Sequence, residues 1–348
     1  MGNTGTGNRT ARRHVIDYYD HCRNDYRIVW RTDENGSIHF GFFDEGDRRS
    51  VSWSVAPATL LRWCLGILAA ALSGGLALLP CAACRDAAIR CLRVAASGRA
   101  SRHDAAQRRM TAVCADAVAP RPGERILDAG CGMGGTDQWL ASQFDADVHG
   151  INVQYRQLLL ARRRVEESAI RARTFFSAQD YTEMGMADGS FDIVWVLESI
   201  CHCEDKSAFA REAYRVLRAR GRLMVADFFL SREAVSEADA SRIGEWTHGW
   251  AIPDLSSVDG FEATLAACGF SSIRYRDIRK NVLPSSWRLY KASLVAGPIH
   301  RLLERAGLRS SIQGSNVRAA RLQYETLRDG AWTYGIFIAE KNTHSPLK

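Results

Sequence analysis

The sequence predicts an α/β fold: a doubly wound, mainly parallel sheet of seven strands with helical cap elements and an apolar insertion. Three observations lead to this prediction. From residue 121 onward short β-rich runs alternate with helical stretches, a glycine-rich turn follows the first run, and two further β-rich runs lie near the carboxyl end. Strand–helix alternation at this spacing is typical of parallel sheets, whose strands are joined by crossover helices.

Seven β-rich runs define the predicted strands. They are RILDAG (125–130), ADVHGIN (146–152), ARTFFS (172–177), FDIVWVL (191–197), GRLMVAD (221–227), SSIRYRDI (271–278) and WTYGIFIAE (332–340). Helical stretches are predicted at residues 154–168 and 207–219, where Phe209 and Ala213 are spaced for one helix face. Residues 280–330 separate the last two strands and predict helices and loops, because the segment is too long for a hairpin connection.

Composition and charge exclude several classes of protein. With 348 residues, 46% of them hydrophobic and 24% charged, the chain is neither collagen-like nor disordered, and it is long enough for a sizeable core. Ten cysteines are too few for a disulfide scaffold. No signal-peptide pattern is present, so reduced thiols and a cytoplasmic location are expected. The net charge of +7 suggests an anionic partner.

An apolar segment at residues 51–98 differs in composition from the rest of the chain. Within it, residues 63–84 carry no charge, and a bilayer-spanning helix needs about 20 apolar residues. A break at Ser73-Gly74-Gly75 leaves open a buried or membrane-surface helical hairpin instead. Residues 85–125 follow with nine arginines against four acids and no interleaved aromatic residues. This pattern favours a solvated helical face, then anionic lipid, over nucleic acid.

These features divide the chain into five predicted parts. We expect the helical segments on either side of the core to form a lid over a ligand pocket. The parts are an N-terminal helical cap (1–50), the apolar insertion (51–98), the core (99–279), a cap insertion (280–330) and the last strand with its tail (331–348).

The glycine-rich turn after the first predicted strand is a candidate ligand site. It reads Asp128-Ala129-Gly130-Cys131-Gly132-Met133-Gly134-Gly135, and glycine lets the backbone turn sharply and approach a ligand. Its glycines also satisfy the GxGxxG pattern of dinucleotide sites, and a purely structural turn is a further alternative. Two details argue against a nicotinamide cofactor. Asp128 can reach a ligand amine, and Asn152 stands where a dinucleotide fold usually offers an acid to the ribose.

Residues 128–134 match the D-x-G-x-G-x-G motif, and the chain resembles the class I S-adenosylmethionine-dependent methyltransferases over roughly residues 120–228. The resemblance implies that S-adenosylmethionine is the cofactor. Asp128 and the loop would hold its methionine part, Asn152 would face the ribose and Asp180 the adenine, while Phe191-Asp192 matches the "FD" motif. The implied cofactor-binding residues are Asp128, Gly130, Cys131, Gly132, Gly134, Asn152, Gln157, Asp180 and Glu198.

Further segments resemble sterol 24-C-methyltransferases, tocopherol methyltransferases and bacterial natural-product methyltransferases. These are the N-terminal Tyr18-Tyr19-Asp20, Tyr26, Trp30 and His39-Phe40-Gly41, the run GINVQYRQ (150–157), and LESICHCEDK (197–206) with Glu198 and His202 in the matching places. The carboxyl-terminal third departs from the sterol enzymes and is similar to the broader bacterial small-molecule group. The resemblance therefore implies methyl transfer to a small, lipophilic acceptor such as a sterol, isoprenoid or quinone.

The acceptor atom determines the chemistry that these residues would perform. For an oxygen or nitrogen acceptor, His202 beyond the fourth strand is the candidate general base. For an alkene carbon, the aromatic faces of Tyr18, Tyr19 and Trp30 and the carboxylate of Glu198 would stabilise a carbocation. His202, Glu198 and Tyr19 are therefore the candidate catalytic residues, and Tyr18, Tyr19 and Trp30 the candidate substrate contacts.

No metal site is predicted. The flanking Cys201 and Cys203 are too close to His202 to ligate one ion with it, and Cys81 and Cys84 lie in an apolar run. The alternative function is a non-catalytic cofactor-binding or membrane-associated scaffold with the same fold. The oligomeric state and the product are left open by the sequence.

Overall fold

The structure is a computed structural model that describes residues 4–30, 32–49, 102–166, 168–231 and 235–342. The predicted apolar insertion at 51–98, with Cys81 and Cys84, lies outside these residues. Within the described ranges, no helix has both the length and the apolar character needed to cross a membrane.

The described strands form one sheet of seven, as predicted. Its order is β3-β2-β1-β4-β5-β7-β6, with β7 antiparallel to both neighbours and the other pairs parallel. The order reverses between β1 and β4, and doubly wound sheets bind ligands outside such a switch point. The strands are β1 Arg125–Ala129, β2 Asp147–Asn152, β3 Thr174–Ala178, β4 Phe191–Leu197, β5 Leu217–Leu230, β6 Phe270–Asp277 and β7 Trp332–Lys341.

Eleven α-helices are described, and short polar side chains cap several of them. Ser236, Ser257 and Ser310 accept hydrogen bonds from main-chain N–H groups in the first turns that they precede, which satisfies donors that a helix start leaves free. The helices are α1 Thr4–Val29, α2 Thr32–Asn35, α3 Glu45–Arg49, α4 Arg102–Val118, α5 Gly135–Phe144, α6 Tyr155–Glu166, α7 Lys206–Val216, α8 Glu237–Gly249, α9 Val258–Ala267, α10 Arg279–Arg305 and α11 Ser311–Arg328.

One predicted boundary is wrong. The helix expected over residues 207–219 ends at Val216, and β5 begins at Leu217. Leu217 is fully buried and pairs with Phe191 of β4, so its apolar side chain serves the sheet rather than the helix face. A bulge follows at Arg220, whose φ is 61°, before regular pairing resumes at Arg222.

The core lies on both faces of the sheet, because the central strands alternate their side chains between them. On β4, Ile193 and Trp195 pack into one cluster and Val194 and Val196 into the other, and all four are at most 1% exposed. Burying each such side chain contributes about 1.5–3 kcal/mol. This packing fixes the strand ends from which the ligand-facing residues project.

Candidate active site

A cleft with an empty volume of about 1010 Å³, part of it open to solvent, lies over the carboxyl ends of β1 to β4. Helix α1 lies across it and contributes Arg12, Val15 and Tyr19 to its wall. The wall also contains Gly36, Ser37, Ile38, His39, Asp128, Gly130, Cys131, Gly132, Thr136, Asn152, Val153, Gln157, Asp180, Tyr181, Thr182, Leu197, Glu198, Ser199, His202, Cys203 and Glu204.

The glycine loop between β1 and α5 has the backbone that its sequence predicts. Gly130 has a φ of 110°, and a Cβ there would lie 2.3 Å from the Cβ of Ser199, so only glycine fits. At Gly132, with a φ of 55°, a Cβ would meet no atom within 4 Å. That open space faces the cleft and leaves the loop backbone accessible to a ligand. Gly134 turns into α5 and lies outside the wall.

Asp128, at the end of β1, places a carboxyl group in the cleft while remaining 3% exposed. Burial raises its pKa to about 7, and a hydrogen bond with Asp137 opposes the rise. A buried carboxyl of this kind gains most from a cationic partner. An ammonium group of a ligand would supply one.

Asn152 and Asp180 follow β2 and β3 and line the cleft beside Asp128. Asn152 donates to Gln157 Oε1 at 2.8 Å and accepts from the N–H of Gln154 at 3.0 Å, so it shapes the turn into α6. Asp180 Oδ1 accepts from the N–H and hydroxyl of Thr182 at 2.9 and 2.7 Å.

The residues present fit the cofactor that the sequence implies. The open backbone cradle at Gly132 and the desolvated carboxyl of Asp128 match an amino-acid moiety. The oxygens and amides of Asn152, Gln157 and Asp180 lie along the same wall and suit a ribose and a purine amine. Together they can hold an elongated, positively charged nucleoside across the strand ends.

Glu198, just beyond β4, joins three distant parts of the chain. Its Oε1 accepts from the N–H of Phe40 at 2.6 Å and from the hydroxyl of Tyr334 at 2.8 Å. Its backbone has a φ of 51°, which turns the chain sharply at the cleft. Burial raises the pKa of the Glu198 carboxyl well above its usual range, although both hydrogen bonds oppose that rise.

His202 faces the cleft in a defined tautomer. Its Nδ1 lies 3.0 Å from the carbonyl of Ala251, and because a carbonyl only accepts, Nδ1 carries the proton. Nε2 therefore accepts from the hydroxyl of Tyr19, 3.1 Å away. Burial lowers the pKa of His202, so the imidazole is neutral at pH 7 with an acceptor nitrogen in the cleft. This is the form that a general base requires.

The short helical turn that carries His202, Ile200–His202, is tied to β5. Asp227 Oδ2 accepts from the N–H of Cys201 at 3.1 Å, and Asp227 Oδ1 accepts from the N–H of Phe228 at 2.8 Å. Burial raises the pKa of Asp227 to about 6. The carboxyl thus fixes the turn without itself entering the cleft wall.

The structure separates the three predicted aromatic contacts. Tyr19 is on the cleft wall, whereas Tyr18 and Trp30 lie behind it, 2% and 8% exposed. Tyr18 shares a hydrogen bond with Tyr26 and donates to Asn316, and Trp30 stacks on Phe40. Of these three rings, Tyr19 alone lines the cleft.

Several site residues were not predicted from the sequence. Arg12 and Val15 share a helix face with Tyr19, a periodicity that was available in the sequence. Tyr334 lies on the last strand and carries no motif signal. Asp137, nine residues after Asp128, could have been noted as an acid in the first turn of a helix.

Within the described residues no cluster of three or more His, Cys, Asp or Glu side chains could hold a metal ion. The described thiols, which include Cys201 and Cys203 beside His202, are free and buried.

Known proteins match this chain in sequence. Residues 127–225 match the family model described as a methyltransferase domain. An O-methyltransferase from Pyrenophora dematioidea is 32% identical over 210 residues, which cover 60% of this chain and 77% of that protein. The 27-O-demethylrifamycin SV methyltransferase of Amycolatopsis mediterranei is 35% identical over 178 residues, which cover 51% of this chain and 65% of that protein. The chain thus spans slightly less than two thirds of the second relative.

A solved structure matches the fold over nearly the whole chain. Geranyl diphosphate C-methyltransferase from Streptomyces coelicolor A3(2), in complex with Mg²⁺, geranyl diphosphate and S-adenosyl-L-homocysteine, gives a TM-score of 0.64 at 16% identity. The match covers 95% of this chain and 97% of that chain. At this identity the likeness shows the fold alone.

Proposed function

This chain belongs to the S-adenosylmethionine-dependent methyltransferases that act on small molecules, and from that premise we propose that it methylates a hydroxyl oxygen with His202 as general base. The observation that carries the proposal is the His202 tautomer: Nδ1–H is held by Ala251, and Nε2 is an acceptor in the cleft. The similarity to named O-methyltransferases supports an oxygen acceptor.

The donor side of the cleft is formed by the strand ends. When bound, S-adenosylmethionine supplies an electrophilic methyl group on a sulfonium. Asp128 and the backbone of the 130–132 loop would hold its amino-acid part, Asn152 and Gln157 its ribose, and Asp180 its adenine. Binding donor and acceptor in one geometry supplies most of the rate in such a displacement, because the two reactants no longer have to meet in line.

On the acceptor side, His202 would take the hydroxyl proton at Nε2. That atom now accepts from Tyr19, so a substrate hydroxyl would displace the Tyr19 hydroxyl or pass its proton through it. The neutral, buried imidazole can hold the proton while the oxygen attacks the methyl carbon. Glu198, bound by Phe40 and Tyr334, would fix the floor of this half of the cleft.

A lipophilic acceptor is proposed because apolar side chains complete the wall. Val15 of α1, Ile38 and Leu197 line the cleft. Helix α1, with the α10 and α11 pair behind it, would form the lid that keeps water from the transferring methyl group. The apolar sequence of residues 51–98 supports contact of this segment with a membrane surface. Such contact would bring membrane-dissolved acceptors close to the cleft.

The direct test is incubation with methyl-labelled S-adenosylmethionine and a panel of hydrophobic phenols and alcohols, followed by identification of the labelled product. We expect label in a methoxyl group, and we expect the His202→Gln variant to form the labelled product about 10²- to 10⁴-fold more slowly while it binds the donor normally. A labelled carbon–methyl bond would refute the oxygen assignment. Donor binding without transfer to any acceptor, including fractionated extract, would support the scaffold alternative.

A further inference from the structure

A second carboxyl group lies directly behind Asp128. Asp137 is in the first turn of α5 and is 0% exposed. Asp128 pairs in register with Gly150 of β2, and a Cβ on that glycine would lie 2.5 Å from Asp137 Oδ1. Gly150 thus makes room for the Asp137 carboxyl against the sheet. Asp137 itself is absent from the cleft wall, whereas Asp128 lines it.

No described cation neutralises this pair of carboxyls. The two side chains are within hydrogen-bonding reach of each other, and no other residue's donor among the described ranges satisfies either oxygen of Asp137. The Cys131 thiol of the glycine loop also faces the two carboxyls. Burial and both carboxyls raise the pKa of this thiol. No ion pair in the described part of the chain includes either aspartate.

Two carboxylates in contact in a buried place do not both ionise, and one proton is shared between them. Burial and the neighbouring Asp128 both raise the pKa of Asp137 well above its usual range. Asp128 is the member that faces the cleft, so it is the one available to a ligand cation. The shared proton then belongs on the member behind it.

We propose that Asp137 is a positioning residue: it remains a protonated carboxylic acid and donates a hydrogen bond that holds the Asp128 carboxylate for the ammonium group of S-adenosylmethionine. This inference rests on the proposed role of Asp128 in donor binding. It assigns to Asp137 a neutral donor function rather than a second negative charge. Asparagine at this position is also a neutral hydrogen-bond donor and therefore mimics the proposed state. Leucine has a similar size but cannot donate the hydrogen bond.

Calorimetric titration with S-adenosylhomocysteine, which retains the ammonium group, tests this without turnover. We expect the wild type to lose affinity about tenfold per pH unit below about 7, where Asp128 protonates. Asp137→Asn should keep both the affinity at pH 7 and this profile. Asp137→Leu should bind about 10- to 100-fold more weakly at pH 7 and recover affinity at higher pH. Glu237→Gln, an exposed acid in the first turn of α8, is the matched control and should change nothing.

Infrared difference spectra of wild type minus Asp137→Asn provide a readout that does not depend on Asp137→Leu folding. We expect the band of a protonated, buried carboxylic acid at neutral pH. Absence of that band, or an Asp137→Asn variant as weak as Asp137→Leu, would overturn the inference. A wild type that binds no S-adenosylhomocysteine at any pH would overturn the role of Asp128 and this inference together, whereas normal binding without methyl transfer would overturn the proposed function alone.

Discussion

Replacing Arg309 by methionine should loosen helix α1 over the cleft. Arg309 Nη2 lies 2.7 Å from both carboxyl oxygens of Asp25 on α1, and the two side chains are 1% and 12% exposed. The pair therefore connects helix α1, which carries Asp25, to the loop before α11, which carries Arg309. Removing the guanidinium leaves a buried carboxyl without its cation.

The magnitude follows from that burial. Breaking a buried ion pair from one side costs about 3–5 kcal/mol, whereas an exposed pair contributes about 0–1 kcal/mol. Burial already raises the pKa of Asp25 despite the arginine, so in Arg309→Met the carboxyl should take up a proton more readily. The destabilisation should therefore be largest above neutral pH and shrink as pH falls and Asp25 becomes neutral.

Urea unfolding followed by circular dichroism measures this cost, with Arg321→Met as the control. Arg321 forms an exposed pair with Glu325 on α11, and its loss should cost about 1 kcal/mol or less. Asp25→Leu combined with Arg309→Met should recover most of the lost stability, because the orphaned charge is gone. A cost for Arg309→Met equal to that of the control, or one that the double variant does not relieve, would refute the reasoning.

Three further changes test the site and the core. His202→Gln should lower kcat by about 10²- to 10⁴-fold. In the wild type, acid should protonate the imidazole and reduce kcat only below pH 6.5, since burial lowers the pKa of His202. The variant should lack this acid-side decrease in kcat. The kcat–pH profile measures both. Gly130→Ala would drive its Cβ into Ser199, so calorimetry should detect no cofactor binding while the fold persists by circular dichroism. Phe228→Ala, which removes a ring packed on Tyr334 and Trp332, should cost about 3–5 kcal/mol in urea unfolding. A smaller cost would show that the aromatic cluster repacks.

Local patterns were enough to predict the sheet and to place the candidate donor-binding residues at one edge of it. The strand runs, the glycine loop and the strand-end residues Asp128, Asn152 and Asp180 all lie within one contiguous stretch whose spacing fixes their edge of the sheet. The same is true of Glu198 and His202, which directly follow β4. The described sheet confirms the fold that these short-range signals predicted, and the matching relatives confirm the family.

Relations across the chain could not be predicted in this way. Tyr18 and Tyr19 are neighbours in sequence, but successive helical residues point about 100° apart, so only one faces the cleft. Tyr19 lines the cleft, whereas Tyr18 packs in a buried cluster with Val15 and Cys22 and donates a hydrogen bond to Asn316 of α11. Deciding between the two tyrosines requires the helix orientation, which is set by tertiary packing.

The three-way contact at Glu198 also sets an order of assembly. Phe40 precedes Glu198 by 158 residues and Tyr334 follows it by 136, so the carboxyl gains its second donor only after β7 enters the sheet between β5 and β6. Contacts of such long sequence separation are slow to form, because closing the loops between them costs conformational entropy first. A nascent chain that stops short of β7 would therefore carry the donor-binding loop without a finished acceptor side. Methyl transfer would begin only when the last strand of the sheet is in place.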